Sequence, residues 1–152
     1  MIIDDAVPER RQLCSFSVGE LLFGVDVTRV QEVLRHQELT VVPLAPGAVG
    51  GLINLRGQIV TAIELRRLLD LPPRQDGEGT LTVVLRTPDG PVSLLVDSIG
   101  DVVQAEGRQY EGAPDTLSER YRRLIDGVYK VDHQLVLALN LESALMTGIA
   151  VP

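Results

Sequence analysis

The chain has 152 residues, 45% of them hydrophobic and only 3% aromatic, with no Trp and a net charge of −7. That length allows one compact unit, or two very small ones sharing a core, and the core must be aliphatic and biased toward β-structure. The acidic balance argues against a nucleic-acid binder and against an anionic membrane surface, since both need basic patches.

Residues 1–11 are polar and predicted to be loose. Gln12–Val18 alternates, and Gly19-Glu20 turns it into Leu21–Val25, a first hairpin. Thr28-Arg29-Val30-Gln31 matches a capping box and predicts a short helix, Thr28–Arg35. On that helix Val27, Val30 and Leu34 share a face, with Glu32 nearly opposite. Two prolines, Pro43 and Pro46, keep the next stretch extended. Two β-rich runs follow, Leu52–Leu55 and Gln58–Leu65, separated only by Arg56-Gly57. Gly57 is the structural turn residue, because glycine adopts the positive φ of a tight reversal. The nearly continuous apolar run after it predicts a strand buried on both sides. A short helix is expected over Leu65–Leu69, then a linker, Pro72–Gly79. Leu81–Arg86 and Val92–Val96 form another hairpin around Pro88-Asp89-Gly90. Val102–Glu106 reads as a short strand, and Gln104–Arg123 is polar and poor in pattern. Leu124–Val131 and Leu135–Leu141, joined by Asp132-His133, precede a helical turn near Leu145.

A repeat emerges when the last hairpin is laid on the central one. Moving Gly51 onto Gly127 also puts Gln58 on Gln134, Val60 on Val136, Ala62 on Ala138 and Leu65 on Leu141. Arg56-Gly57 then falls on Asp132-His133, and both suit a two-residue reversal. The earlier hairpins echo each other through Val25-Asp26 and Val96-Asp97, and through Glu32-Val33 and Asp101-Val102. The expected architecture is all-β with short helices: two similar β-barrels of about five strands each, packed on a shared aliphatic core.

Catalytic chemistry has no residues to stand on. His36 and His133 lie far apart in predicted loops, and no Cys/His cluster has metal-ligand spacing. Cys14 allows no internal disulfide, fits a reducing compartment, and reads as a small strand hydrophobe. Gly47, Gly50 and Gly51 lead into a strand and not a helix, so they cradle no phosphate. The acid pairs Asp4-Asp5 and Asp97 with Asp101 are ordinary in so acidic a chain. Met1–Glu9 has no apolar run of a signal peptide, and no stretch is long enough to span a bilayer, so a cytoplasmic protein is expected. What stands out is Glu32 with Arg56, a polar pair among apolar residues. It reads either as a surface ion pair worth little or as a charged spot within an exposed aliphatic interface.

Val30-Gln31-Glu32-Val33, the Val-Pro-x-x-Pro-x-x-Val-x-Gly run at Val42–Gly51, Asn54-Leu55-Arg56-Gly57 and Leu95-Val96-Asp97 together resemble the CheW family. The resemblance covers nearly everything from Leu13 to Leu145. It implies two five-stranded SH3-like barrels within a single domain, 12–145, made of subdomain 1 (about 12–71) and subdomain 2 (about 80–145), with 1–11 and 146–152 as flexible ends. It implies a non-catalytic adaptor, without cofactor or metal, that couples the cytoplasmic tips of methyl-accepting chemoreceptors to a CheA-type histidine kinase. Such a protein is recruited to membrane-associated receptor arrays without inserting into the bilayer. The alternative is a CheW-like module of a pilus or biofilm pathway, or one that binds its own partner without a kinase. Carried over by position, the receptor-binding residues are Val30, Glu32, Gly51, Arg56 and Val102. The kinase-binding positions are Glu111, Asp115 and Thr116. Thr61 and Glu64 stand where the family usually has Pro and Asp. Tyr110–Pro114 replaces a basic residue followed by Pro-x-Pro, a departure at the second kinase contact.

Overall fold

In a computed structural model of the chain, residues 8–35, 37–45, 47–74 and 79–149 are described. His36, Asp4-Asp5, the centre of the expected linker and the outermost residues of both expected flexible ends lie outside them.

Eleven strands and three short helices make up the described chain. They are β1 (Arg10–Val18), β2 (Leu21–Asp26), β3 (Val30–Leu34), β4 (Val49–Leu55), β5 (Gln58–Glu64), α1 (Leu65–Leu68), β6 (Leu81–Thr87) and β7 (Gly90–Val96), followed by β8 (Ser98–Glu106), β9 (Tyr110–Glu111), α2 (Glu119–Arg122), β10 (Ile125–Val131), β11 (Gln134–Leu139) and α3 (Leu141–Ile149). Aliphatic β-branched runs interrupted by turn residues make these strands, as the composition predicts. The two matched reversals close alike. Arg56 and Gly57 have φ of 53° and 87°, and Asp132 and His133 have 48° and 65°. Positive φ at both central residues gives the reversal a twist that matches the flanking strands.

The strands form two sheets, β8-β1-β2-β11-β10-β9 and β3-β6-β7-β5-β4. The architecture is mostly β in two similar barrel-like halves, as expected, with the two-residue β9 as a sixth strand on one of them. The repeat is visible in the pairing. β5 runs parallel to β7, and at the equivalent place β11 runs parallel to β2. A shared cluster of buried residues joins both sheets, with Phe16, Phe23 and Leu137 from one, Ile63, Leu85 and Leu94 from the other, and Leu65, Leu68 and Leu141 from the helices. Each sheet also has a smaller cluster of its own.

Three expectations need correction. The sheets do not follow sequence order: 12–71 and 80–145 each contribute to both. β1 and β2 sit with β8 to β11, while β3, β4 and β5 sit with β6 and β7. Because the halves carry matching strands, cross-half pairing satisfies the same backbone groups as pairing within a half would. The helix expected over Thr28–Arg35 is a single helical turn, Val27–Arg29, followed by β3. The Thr28 hydroxyl donates to Asp26 Oδ1 at 3.3 Å instead of capping. A cap is worth about 1 kcal/mol, and the ladder that pairs Val30 with Leu85 and Val33 with Val83 outweighs it. Finally, β5 is not buried throughout. Its pairing with β7 covers only Ala62 to Glu64, so Gln58 and Ile59 project into solvent. Among the described residues, β1 begins at Arg10 and α3 runs to Ile149.

Candidate protein-binding surface

The strand at 30–34 changes the geometry of the site. Side chains alternate along a strand, but a register shift between Val30 and Glu32 resets the alternation: Val30 lies opposite Leu85 on one face, while Glu32 lies opposite Val84 on the other, the face of Leu34. Across from it, the β4–β5 reversal carries Arg56. Gly57 N–H donates to Asn54 Oδ1 at 2.8 Å, which fixes the turn from within the Asn-Leu-Arg-Gly motif. Arg56 then reaches Glu32 with both terminal nitrogens, Nη1 to Oε2 at 2.5 Å and Nη2 to Oε1 at 2.7 Å. This is the planar two-bond geometry that guanidinium and carboxylate favour. The guanidinium's hydrogen bonds hold the Glu32 carboxyl below the usual carboxylate range, and Glu32 in turn raises Arg56. The pair is lopsided: the Arg56 side chain is 69% exposed and that of Glu32 20%. Val33 and Ile59 are exposed apolar residues of the same sheet, and Leu34 and Leu39 pack against Ile53, Leu55, Val60 and Val84 in its core.

Gly51 belongs to the same sheet but is buried. Its φ is 153°, and a Cβ there would lie 2.7 Å from the Thr40 carbonyl oxygen. Thr40 and Leu52 exchange backbone hydrogen bonds of 2.8 and 2.9 Å across this approach. Gly51 therefore holds the 37–45 segment against β4. Val102 lies elsewhere. It is 50% exposed on β8, opposite Cys14 in the other sheet. There it lines a groove of about 500 Å³ with Leu22, Asp101, Val131 and Asp132, which contains none of the other four positions. Burial pushes the Cys14 thiol up, which disfavours the reactive thiolate.

Of the three expected kinase-binding positions, Glu111 lies in β9, and Asp115 and Thr116 follow it. Glu111 pairs with Lys130 at 3.1 Å and is exposed. Asp115 is exposed. Thr116 lines a second groove, of about 580 Å³, floored by Leu21, Leu22, Leu117, Val128 and Leu137. Leu135, 48% exposed, forms part of its wall.

One arrangement was missed in the sequence. Glu64, which replaces the family's usual Asp, accepts from the Arg66 backbone N–H at 3.1 Å and so caps α1, while its other oxygen pairs with Arg74 Nη1 at 2.6 Å. Arg66 grips Asp97 through Nε at 2.9 Å and Nη2 at 2.7 Å. Arg74 Nε lies 2.8 Å from Asp97 Oδ1 without the alignment of a hydrogen bond. Gly19 N–H, in the β1–β2 turn of the other sheet, donates to Asp97 Oδ2 at 2.7 Å. The recurrence of Val-Asp at 25–26 and 96–97 was the available signal, since Asp26 likewise meets an arginine, Arg11, at 3.4 Å. Among the described residues no group of three or more His, Cys, Asp and Glu could hold a metal ion. None of their helices is long and apolar enough to cross a membrane.

Known proteins resemble this chain in sequence and in fold. The model of the CheW-like domain matches residues 12–147. The chain is 28% identical over 133 residues to the chemotaxis protein CheW of Rhizobium meliloti, covering 88% of this chain and 86% of that one. It is 28% identical over 141 residues to the chemotaxis protein CheW of Thermotoga maritima, covering 93% and 91%. In fold it is similar to the scaffolding protein TtCheW from Thermoanaerobacter tengcongensis, with a TM-score of 0.76 at 24% identity, covering 86% of this chain and 88% of that structure. The chain belongs to the CheW-like domain family, a family of chemotaxis scaffolding and adaptor proteins.

Proposed function

We propose that the protein is a non-catalytic adaptor that binds the cytoplasmic tip of a methyl-accepting chemoreceptor and the regulatory domain of a CheA-type histidine kinase. The observation that carries the reading is the Arg56–Glu32 pair: a mostly exposed guanidinium held by two hydrogen bonds on a sheet that also exposes Val33 and Ile59. A charge fixed in this way on a sheet with exposed aliphatic side chains suits the docking of an amphipathic helix. Val30, Glu32 and Arg56 form the receptor face, and Gly51 supports it from below. Val102 stands on the other sheet as a separate contact. The apolar groove at Thr116 and Leu135 is the kinase-facing surface, and the exposed Glu111 and Asp115 are assigned to the same contact. In the cell the adaptor is cytoplasmic and reaches the membrane only through its receptors.

The test is calorimetric titration of the purified protein against a CheA-type regulatory domain, and separately against a receptor signalling fragment. Binding at tens of micromolar or tighter, about −6 kcal/mol or better, is expected for each. The absence of both heat and co-elution at that concentration refutes the assignment.

A further inference from the structure

The path of the chain through the two sheets carries a consequence for assembly. Take residues 8–74 as the first half and 79–149 as the second. The first half holds two hairpins, β1–β2 and β4–β5, and they lie in different sheets. The second half likewise sends β6–β7 to one sheet and β10–β11 to the other. Neither β3 nor β8 has a strand partner in its own half: β3 pairs with β6, and β8 with β1. Parallel pairing of β2 with β11 and of β5 with β7 supplies two more seams. Each sheet is thus stitched across the halves twice.

The polar contacts follow the same rule. Asp97 of the second half takes Arg66, Arg74 and the Gly19 N–H of the first. Arg86 of the second donates to the Val30 carbonyl of the first at 2.7 Å. Arg29 of the first pairs with Glu142 of the second at 3.1 Å. Within either half alone, by contrast, no ladder joins one hairpin to the other. The only covalent connection between halves is the single passage between Arg74 and Gly79.

We propose that the halves are exchangeable between molecules, so that a second copy of this chain is a partner: the first half of one copy folds with the second half of the other, and reciprocally. All four ladders, the shared core and the Asp97 network are between halves, so an exchanged pair reproduces every one of them and differs only in the route of the link. Exchange of identical elements is a low-cost route to a dimer for this reason. It also makes the binding surfaces composite. The Arg56–Glu32 face comes from one copy, and Val102 with the Thr116 groove comes largely from the other.

Two full-length variants decide the matter, each crippled in one half. Val60→Asp and Val136→Asp put a carboxylate into a buried position of β5 and of β11 respectively, where no partner awaits it. Each variant refolded alone is expected to show no cooperative melting. Refolded together as an equal mixture, they are expected to regain a native melting transition in a species of two chains. In that species the intact first half of Val136→Asp pairs with the intact second half of Val60→Asp. A mixture as unfolded as its components overturns the proposal. Should either variant fold unaided, the pair Gly51→Val and Gly127→Val replaces it. Their Cβ atoms would meet the Thr40 carbonyl oxygen at 2.7 Å and the Glu111 carbonyl oxygen at 2.6 Å, each within its own half. The readout is folding and mass, and needs neither receptor nor kinase, so it is independent of the adaptor assignment.

Discussion

Arg56 and Glu32 join the two margins of one sheet. Glu32 belongs to β3, at one edge of the order β3-β6-β7-β5-β4, and Arg56 forms the tip leading out of β4, at the other. The ion pair therefore closes the curl of that sheet from outside, where its aliphatic interior cannot help. With Arg56 mostly exposed, closure by this pair adds to a barrel already held by its core.

Arg56→Ala is accordingly expected to melt within a few degrees of the wild type and to weaken receptor binding about tenfold or more, as loss of a central interface charge does. Arg56→Lys should recover only part of the binding, because an ammonium cannot make two parallel bonds to Glu32. Thermal midpoint and receptor affinity, measured on each variant, separate the two roles. A variant that unfolds yet binds normally in its folded fraction makes Arg56 structural.

The two site glycines should respond differently to an added methyl. Gly57→Ala meets open space and bears only the positive-φ penalty, about 1 kcal/mol. Gly51→Ala adds a backbone collision with Thr40 to an unfavourable φ, and about 3 kcal/mol is expected. Chemical denaturation of both variants checks the ranking. Equal losses would mean that the 37–45 segment yields freely.

Acid should weaken the fold in part through the Asp97 network. Burial pushes its carboxyl up, but Arg66, the Gly19 N–H and Arg74 together outweigh this and hold it below the ordinary range. A depressed carboxyl stabilises the fold at pH above the ordinary aspartate value of about 3.9, and that contribution is lost as pH falls through the folded value. Asp97→Asn should flatten this part of the stability profile between pH 5 and the acid limit. At pH 7 it should cost about 2 kcal/mol, between exposed and buried ion pairs, since the Arg74 side chain it leaves is only 9% exposed. An unchanged acid slope in Asp97→Asn would assign the acid response to other carboxylates.

Leu135→Glu tests the groove proposed to face the kinase. The side chain is half exposed on β11, so the melting temperature should stay within a few degrees of the wild type. Affinity for the kinase regulatory domain should fall about tenfold, while receptor binding is retained. A loss confined to receptor binding would exchange the two surfaces.

Turns and hairpins were legible because they depend on neighbours in sequence: Gly57 and the Asp132-His133 pair had to reverse the chain wherever it went. The helix at Thr28 failed for the complementary reason. Its capping signal is local, while the β6 edge that captures Val30 and Val33 lies some fifty residues away. The repeat revealed two equivalent sheets but not which hairpins share one, because matching halves offer the same strands to either arrangement. Among the site residues, Arg56 and Glu32 came together as expected, whereas Val102 went with β8 to the other sheet. Gly51 was found by resemblance, and only the approach of Thr40 gives it a physical reason.

The pairing of Phe23 with Leu137 sets a condition on synthesis. A nascent chain emerges from its first residue onward, so β1 and β2 are made long before β11 exists to accept them. Until nearly the whole polypeptide has left the ribosome, the β2 edge that pairs with β11 stays open, and Phe16, Phe23 and Val25 lack the part of their cover that Leu137 and Leu139 supply. Folding must then be a late, concerted event dominated by distant contacts, which places it among the slower small domains, on the order of milliseconds to seconds. During that interval the earliest strands of each molecule depend on chaperones, or on dilution, to stay apart from those of its neighbours.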